Sequence, residues 1–233
     1  MLTKTTALVI RKTPYTDNSA VVQLFTREAG LLPFLVQGLH GKKTQSGKAV
    51  FFQPGNVLEV VFNRKPGALQ RIKEVQSLSS WGYIPSPAHD QVRWFFLEIL
   101  QHCLIQEQIE EPLFDTAKNI FEQINQTHPF INNLVIASVF QLSDSLGFAL
   151  EIDQHANTGL DLQIGSAAVS QSLPATTLTP QEIQLLNTIL ASPDTAIGNA
   201  QLRKDLFQKL TNFLCLHALH GKPLQTLEII KQL

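Results

Sequence analysis

The chain has 233 residues, enough for one large domain or two small ones, and a formal net charge of −1 that by itself points to no particular partner. Its two cysteines, Cys103 and Cys215, both lie in apolar helical patterns and exclude a disulfide framework. No apolar run approaches the ~20 residues that span a bilayer, and the first residues lack the charged-then-apolar order of a signal peptide, so a cytoplasmic protein is expected.

The near-neutral total conceals a split. Residues 1–80 carry eleven cations against four anions, net +7, and the remainder carries seven cations against fifteen anions, net −8. Asymmetry of this kind points to an anionic partner for the first segment and a different surface role for the second, against the plainer reading of two solvated faces.

The first 80 residues read as strands. TTALVIRK (Thr5–Lys12) is rich in β-branched and apolar residues and breaks at Thr13-Pro14. SAVVQLFT (Ser19–Thr26) follows and closes at REAG, where Gly30 can supply a hairpin turn. LLPFLVQ (Leu31–Gln37) is a third strand, whose Pro33 implies an edge or a bulge. A loop rich in glycine and lysine comes next, carrying Lys42, Lys43 and Lys48 and no acid. NVLEVVF (Asn56–Phe62) and ALQRIKEVQ (Ala68–Gln76) are the fourth and fifth strands, joined by a turn that holds Pro66-Gly67. Five short strands in about 75 residues suit a small barrel, because an open sheet of this size would leave long unpaired edges.

From Ser86 the apolar period changes to that of helices. Ser86-Pro87 is a start signal, and VRWFFLEILQHCLIQ (Val92–Gln106) carries an apolar stripe closed by Glu107, Glu110 and Glu111. Glu111-Pro112 opens a second helix with Leu113, Ala117, Ile120, Phe121 and Ile124 inward. Asn132–Gly147 forms a third. Thr179-Pro180-Gln181-Glu182 is a capping box that begins a fourth. Ala200–Gly221 is the fifth, and a short helix runs from Leu224 to Gln232. Residues 150–178 fit no helical pattern and read as a loop or small hairpin. The expected class is therefore α+β: a basic, OB-like five-stranded barrel over residues 1–80, then an acidic helical domain over 81–233 with a non-helical insert at about 150–178. The boundary falls near Ser80–Pro87.

Small barrels of this kind bind single strands by joining a positive groove to aromatic platforms. The cations fall where that chemistry needs them. Lys42, Lys43 and Lys48 lie on the loop between strands three and four, and Arg64 and Lys65 on the turn between four and five. Arg11 and Lys12 end the first strand, while Arg71 and Lys73 alternate along the fifth. Tyr15 is the candidate for base stacking, with a turn-anchoring role as its alternative; Phe25, Phe34, Phe51, Phe52 and Phe62 are assigned to core. Nothing in the pattern reads base identity. Gly38-Leu39-His40-Gly41 matches a GXXG clamp but follows a strand, where that motif needs helices, and no glycine stands at the P-loop position before Gly41-Lys42 or Gly47-Lys48.

Taken together, ALVIRKTPYTD, LFTREAG, QGLHGKKTQSGK, FFQPGNVLEVVF and the final RKDLFQKLTNFLCLHALHGKPLQTLEIIKQL resemble the RecO family of bacterial recombination mediators. The resemblance implies a DNA-repair protein that binds single- and double-stranded DNA, promotes annealing and helps load a recombinase onto coated single strands. It implies two protein partners, RecR and the acidic C-terminal tail of single-stranded-DNA-binding protein. Such a tail needs an apolar groove edged by cations, and in the helical domain Arg203 and Lys204 are candidates for that edge, or else members of a solvated helix face. Two features depart from the family. The turn Tyr15-Thr16-Asp17-Asn18-Ser19 has Asp and Ser where Glu and Asp are usual, and residues 147–180 contain no cysteine, so the four-cysteine zinc site of many members has no counterpart.

No cofactor and no catalytic site are expected. His217 and His220 share a helix face without a third ligand nearby, and neither a Gly-x-Ser-x-Gly elbow nor HExxH occurs. The alternative to a DNA-binding mediator is a non-enzymatic interaction scaffold whose barrel holds a protein.

Overall fold

A computed structural model describes residues 2–38, 48–78, 86–126, 128–169 and 171–230. Five strands form a closed barrel in the order β1-β2-β3-β5-β4, followed by helices, so the α+β class with an OB-like barrel holds. The strands are β1 (Leu2–Thr16), β2 (Ser19–Thr26), β3 (Gly30–Gln37), β4 (Val57–Asn63) and β5 (Gln70–Ser77).

Alternation produces the barrel's core. Val22 and Leu24, then Leu32, Phe34 and Val36, then Leu58, Val60 and Phe62 occupy every second position and are buried together. The rings of Phe34 and Phe62 meet edge to face with centroids 4.9 Å apart. Burying one such side chain contributes roughly 1.5–3 kcal/mol, which makes this alternation the main determinant of register. Phe34 and Phe62 are buried there and Phe52 joins them, whereas Phe25 is buried outside that cluster and Phe51 is half-buried against it.

Three readings need correction. β1 does not stop at Thr13-Pro14 but runs to Thr16, because its second half has only β2 beside it and a proline there leaves no ladder bond unmade. The loop before β4 is not wholly irregular: α1 (Lys48–Phe51) is a single helical turn, closed by the Asn56 side-chain amide donating to the carbonyls of Val50 (2.8 Å) and Phe51 (3.2 Å). A turn this short has almost no periodic signature. The first long helix, α2 (Pro87–Cys103), ends before Gln106, and the acids that follow do not close it.

Clustering of contacts divides the chain into two compact units. The first joins Met1–Pro85 with Phe96–Gln126, and the second joins Ser86–Phe95 with Thr127–Leu233. Much of the expected boundary at 80–87 lies outside the described residues.

In the first unit, residues 104–110 cross the start of β3. Leu31 bridges to Gln106, and the Glu107 N–H donates to the Leu31 carbonyl at 3.1 Å. α3 (Glu111–Ile124) then buries Leu113, Phe114, Ala117, Ile120, Phe121 and Ile124. Phe114 meets Phe25 edge-on with centroids 5.3 Å apart. Beside it, Arg27 donates to both Asp115 oxygens at 2.9 Å and pairs with Glu111. This guanidinium holds the Asp115 carboxyl below the usual carboxylate range.

The second unit contains α4 (Ile131–Ser145), α5 (Pro180–Ala191), α6 (Ala200–His217) and α7 (Leu227–Ile230). The capping box of α5 is formed: the Thr179 side chain accepts from the Glu182 N–H, and the Glu182 carboxylate accepts from the Thr179 N–H. The insert is more than a hairpin. β6 (Leu160–Asp161) pairs with β7 (Ser166–Ala167) and also with β8 (Thr177–Leu178). Lys209 fastens it to α5 and α6 through bonds to the Thr177 carbonyl and the buried Glu182 carboxylate, each 2.8 Å.

Gly30 has no room for a side chain. Its φ is +71°, and a Cβ there would lie 2.2 Å from the Gln108 carbonyl oxygen. Gly30→Ala is expected to lower unfolding free energy by at least about 2 kcal/mol, read from the urea midpoint, because it adds left-handed strain to a backbone clash.

Candidate nucleic-acid interface

Barrel register decides which cations share a face. Lys12, Val22, Phe34 and Gln70 form one row across β1, β2, β3 and β5; Thr13, Val21, Leu35 and Arg71 form the next. Val22, Phe34 and Gln70 are buried, so their row points inward. The second row points outward, as does the row of Arg11, Gln23 and Pro33. Arg11 and Arg71 therefore both point outward, on β1 and β5, with β2 and β3 between them along one side of the closed strand order. Lys12 belongs to the inward row, at the open end where β1 outruns β4, and is half-buried. Arg11 and Lys12 point to opposite sides.

Lys73 joins Arg71 by a bulge. Val61 pairs with Glu74 and Phe62 with Ile72, which leaves Lys73 as the extra residue, exposed beside an exposed Glu74. Ile72 and Val75 turn inward on either side. The turn carrying Arg64 and Lys65 is drawn onto the entry to β5 by Gln70. Its buried side chain accepts from the Lys65 N–H at 3.0 Å and donates to the carbonyls of Lys65 and Ala68 at 2.6 Å. Lys65 is exposed and Arg64 half-buried.

Tyr15 lies beside the end of β3. Gln37 pairs with Ser19, and the Gly38 N–H donates to the Asn18 carbonyl at 2.8 Å, which holds the end of β3 beside the β1–β2 turn. Lys42 and Lys43 lie outside the described residues; Lys48 begins α1. The register shift between Pro14 and Thr16 leaves Tyr15 unpaired, and it is 64% exposed.

Ion pairing separates these cations from the others. Lys4 pairs with Glu59, Arg27 with Asp115 and Glu111, Arg93 with Asp90, Lys118 with Glu122 and Lys209 with Glu182. Among the described residues, no carboxylate lies within ion-pair distance of Arg11, Lys12, Arg64, Lys65, Arg71 or Lys73. A cation without an acid is available to an external anion at no cost of breaking a pair.

The second unit holds a groove of ≈ 260 Å³ between α4, α6 and α7. Val135, Ile136, Phe207 and Ile230 form its apolar floor, and Arg203 and Lys204 stand among its lining residues together with one acid, Asp205. Both cations lie near the start of α6, where the helix dipole disfavours positive charge. The groove walls supplied by α4 and α7 are not evident from the sequence. Their one signal is that Leu134–Val139 is buried continuously, so α4 is apolar on more than one side.

A closed five-stranded barrel with a set of unpaired surface cations, joined to a helical part with a cation-edged groove, defines a class of small barrel-and-helix nucleic-acid proteins. Residues 1–81 match the family described as "Recombination protein O N terminal" and residues 94–226 the one described as "Recombination protein O C terminal". The chain belongs to this recombination protein O (RecO) family of DNA-repair proteins. It is similar to "DNA repair protein RecO" of Flavobacterium johnsoniae, 24% identical over 241 residues with 100% of this chain and 99% of the relative covered. The protein of that name from Bacteroides fragilis is 27% identical over 241 residues, again covering 100% and 99%. One from Chlorobium limicola is 25% identical, covering 92% and 89%.

Reversing the two outward-pointing arginines together, Arg11→Glu with Arg71→Glu, tests them as phosphate contacts. The dependence of log affinity on log salt is expected to become shallower by about 1.4, with the melting temperature unchanged; fluorescence anisotropy with a labelled single strand across a salt series measures it.

Proposed function

We propose that this protein is a DNA-binding recombination mediator. Its barrel holds the phosphate backbone of a single strand across the outer face of β1, β2, β3 and β5. The observation that carries this reading is the division of the barrel's cations: Lys4 and Arg27 hold internal ion pairs, whereas Arg11, Lys65, Arg71 and Lys73 are exposed and, among the described residues, without an ion-pair partner. Tyr15 offers an exposed ring for a base, worth ~1–3 kcal/mol where stacking is made. Contacts of this type are indifferent to sequence, as annealing of arbitrary complementary strands requires. The same face accepts duplex, with more phosphates per unit length. The reading involves no catalytic step, no cofactor and no metal.

The groove of the second unit fits a partner of defined chemistry: an acidic peptide that ends in apolar residues, the chemistry of the single-stranded-DNA-binding protein's tail. Apolar side chains would lie on Phe207 and Ile136, with acids toward Arg203 and Lys204. Binding coated single strands through that tail while the barrel holds exposed strand would place annealing and recombinase loading at one location. A RecR-like protein completes the set of partners that the family likeness brings.

Titration of the whole chain with a labelled oligonucleotide tests the DNA reading. Neutralising ~5 phosphates gives an expected slope of about −3.5 in log affinity against log salt. Failure to bind at ~50 mM salt would favour the scaffold instead. Lys42→Glu with Lys43→Glu should weaken strand binding and leave the melting temperature in place; unchanged affinity would remove the 39–47 segment from the interface. For the groove, Arg203→Glu with Lys204→Glu should weaken the tail peptide at least about tenfold in calorimetry without altering strand binding. Equal affinity of both proteins would exclude the groove.

A further inference from the structure

The turn between β4 and β5 contains an acid that neither the fold nor the charge pattern requires. Glu107, from the segment crossing β3, places its Oε1 2.6 Å from the Gly67 nitrogen and accepts that N–H. Gly67 has φ +64°, is exposed, and has open space where a Cβ would stand. A backbone N–H presented by a left-handed glycine in a cationic turn is the geometry of an anion site. Arg64 and Lys65 precede it in the same turn, and neither is ion-paired among the described residues.

Two observations separate this contact from ordinary scaffolding. The turn keeps its shape without Glu107, because Gln70 already satisfies the Lys65 N–H and the carbonyls of Lys65 and Ala68. In addition, Glu107 is held in a left-handed backbone conformation, φ 60°, one of only two such non-glycine residues described. Its N–H is fixed to the Leu31 carbonyl, so the strained residue delivers its carboxylate to the turn from a rigid strand.

We propose that the β4–β5 turn is a phosphate site, that the Glu107 carboxylate occupies it in the free protein, and that a backbone phosphate of the bound strand takes its place. This rests on the DNA-binding reading above and extends it. A carboxylate oxygen and a phosphodiester oxygen make the same charge-assisted bond to an N–H. While Glu107 is in place, Arg64 and Lys65 act at reduced strength, so weak anions are rejected. A polyanion held simultaneously by Arg71 and Arg11 displaces the acid. The turn is thus a self-filled subsite that discriminates a continuous strand from isolated phosphate.

Glu107→Gln tests this in the full chain, since the amide still accepts from Gly67 but carries no charge. Binding of a labelled oligothymidine should tighten about fivefold at low salt, the equivalent of removing one like charge at contact distance in water. The slope of log affinity against log salt should stay the same, because the same phosphate occupies the turn in both complexes. Inorganic phosphate at matched ionic strength should compete better with the strand on the variant than on the wild type. Glu107→Gly, which also relieves the backbone, should share the gain and serves if the amide variant folds poorly. Unchanged affinity in a variant of unchanged melting temperature overturns the proposal while leaving DNA binding intact. Weaker binding with a lowered melting temperature also overturns it and makes Glu107 an anchor. A wild-type chain that ignores the strand overturns the DNA reading itself.

Discussion

Two rows of parallel pairing, Phe34 with Gln70 and Leu35 with Arg71, join β3 to β5 and close the five-stranded sheet. The rest of the proposed nucleic-acid face depends on that short seam. It brings the strand carrying Arg71 and Lys73 alongside the β1–β2–β3 surface that carries Arg11. It also buries Gln70, whose side chain then shapes the turn bearing Arg64 and Lys65. Because strand side chains alternate, a slip of one residue at the seam would turn Arg71 inward and Gln70 outward, so core packing and cation display are settled together. Phe34 and Phe62, in contact just inside the seam, supply the apolar energy that holds the register.

The distribution of acids matters as much as that of bases. Arg27 lies close in sequence to the candidate cations but serves to hold α3, with two carboxylates on it. Lys4 is matched by its cross-strand neighbour region through Glu59. The cations left over occupy the β1 end, the β5 bulge and the β4–β5 turn. Exposed pairs of the Lys4 type add little stability, so their consequence is chiefly to limit where an external polyanion gains by binding. Glu107 fits the same logic: an acid on a cationic turn sets a threshold for what can bind there.

Much of this was legible in the sequence, for physical reasons that also mark where legibility ends. The barrel follows from five alternating runs with turn residues between them, and α3 and α5 from a proline start and a capping box that depend only on neighbours in the chain. The charge split between segments pointed to the face. What could not be read was anything set by tertiary contact. α1 is a single turn stabilised by Asn56, several residues away. The opposite orientations of Arg11 and Lys12 depend on which row meets Phe34. Glu107 looked like part of a helix end, yet its role comes from a segment that crosses β3 and reaches a turn forty positions earlier in the chain. Similarly, Arg203 and Lys204 could be singled out as helix cations, but the floor between them and α7 is assembled from Val135, Ile136 and Ile230.

The most direct measurement of the central claim is amide chemical-shift mapping of the whole protein as an oligothymidine is added. The account predicts perturbations concentrated at Arg11, Leu35, Gly38, Gly67 and Arg71. Shifts confined to the β1–β4 side around Lys4 and Glu59, or to the helices of the second unit, would contradict a strand-binding face built across the β3–β5 seam.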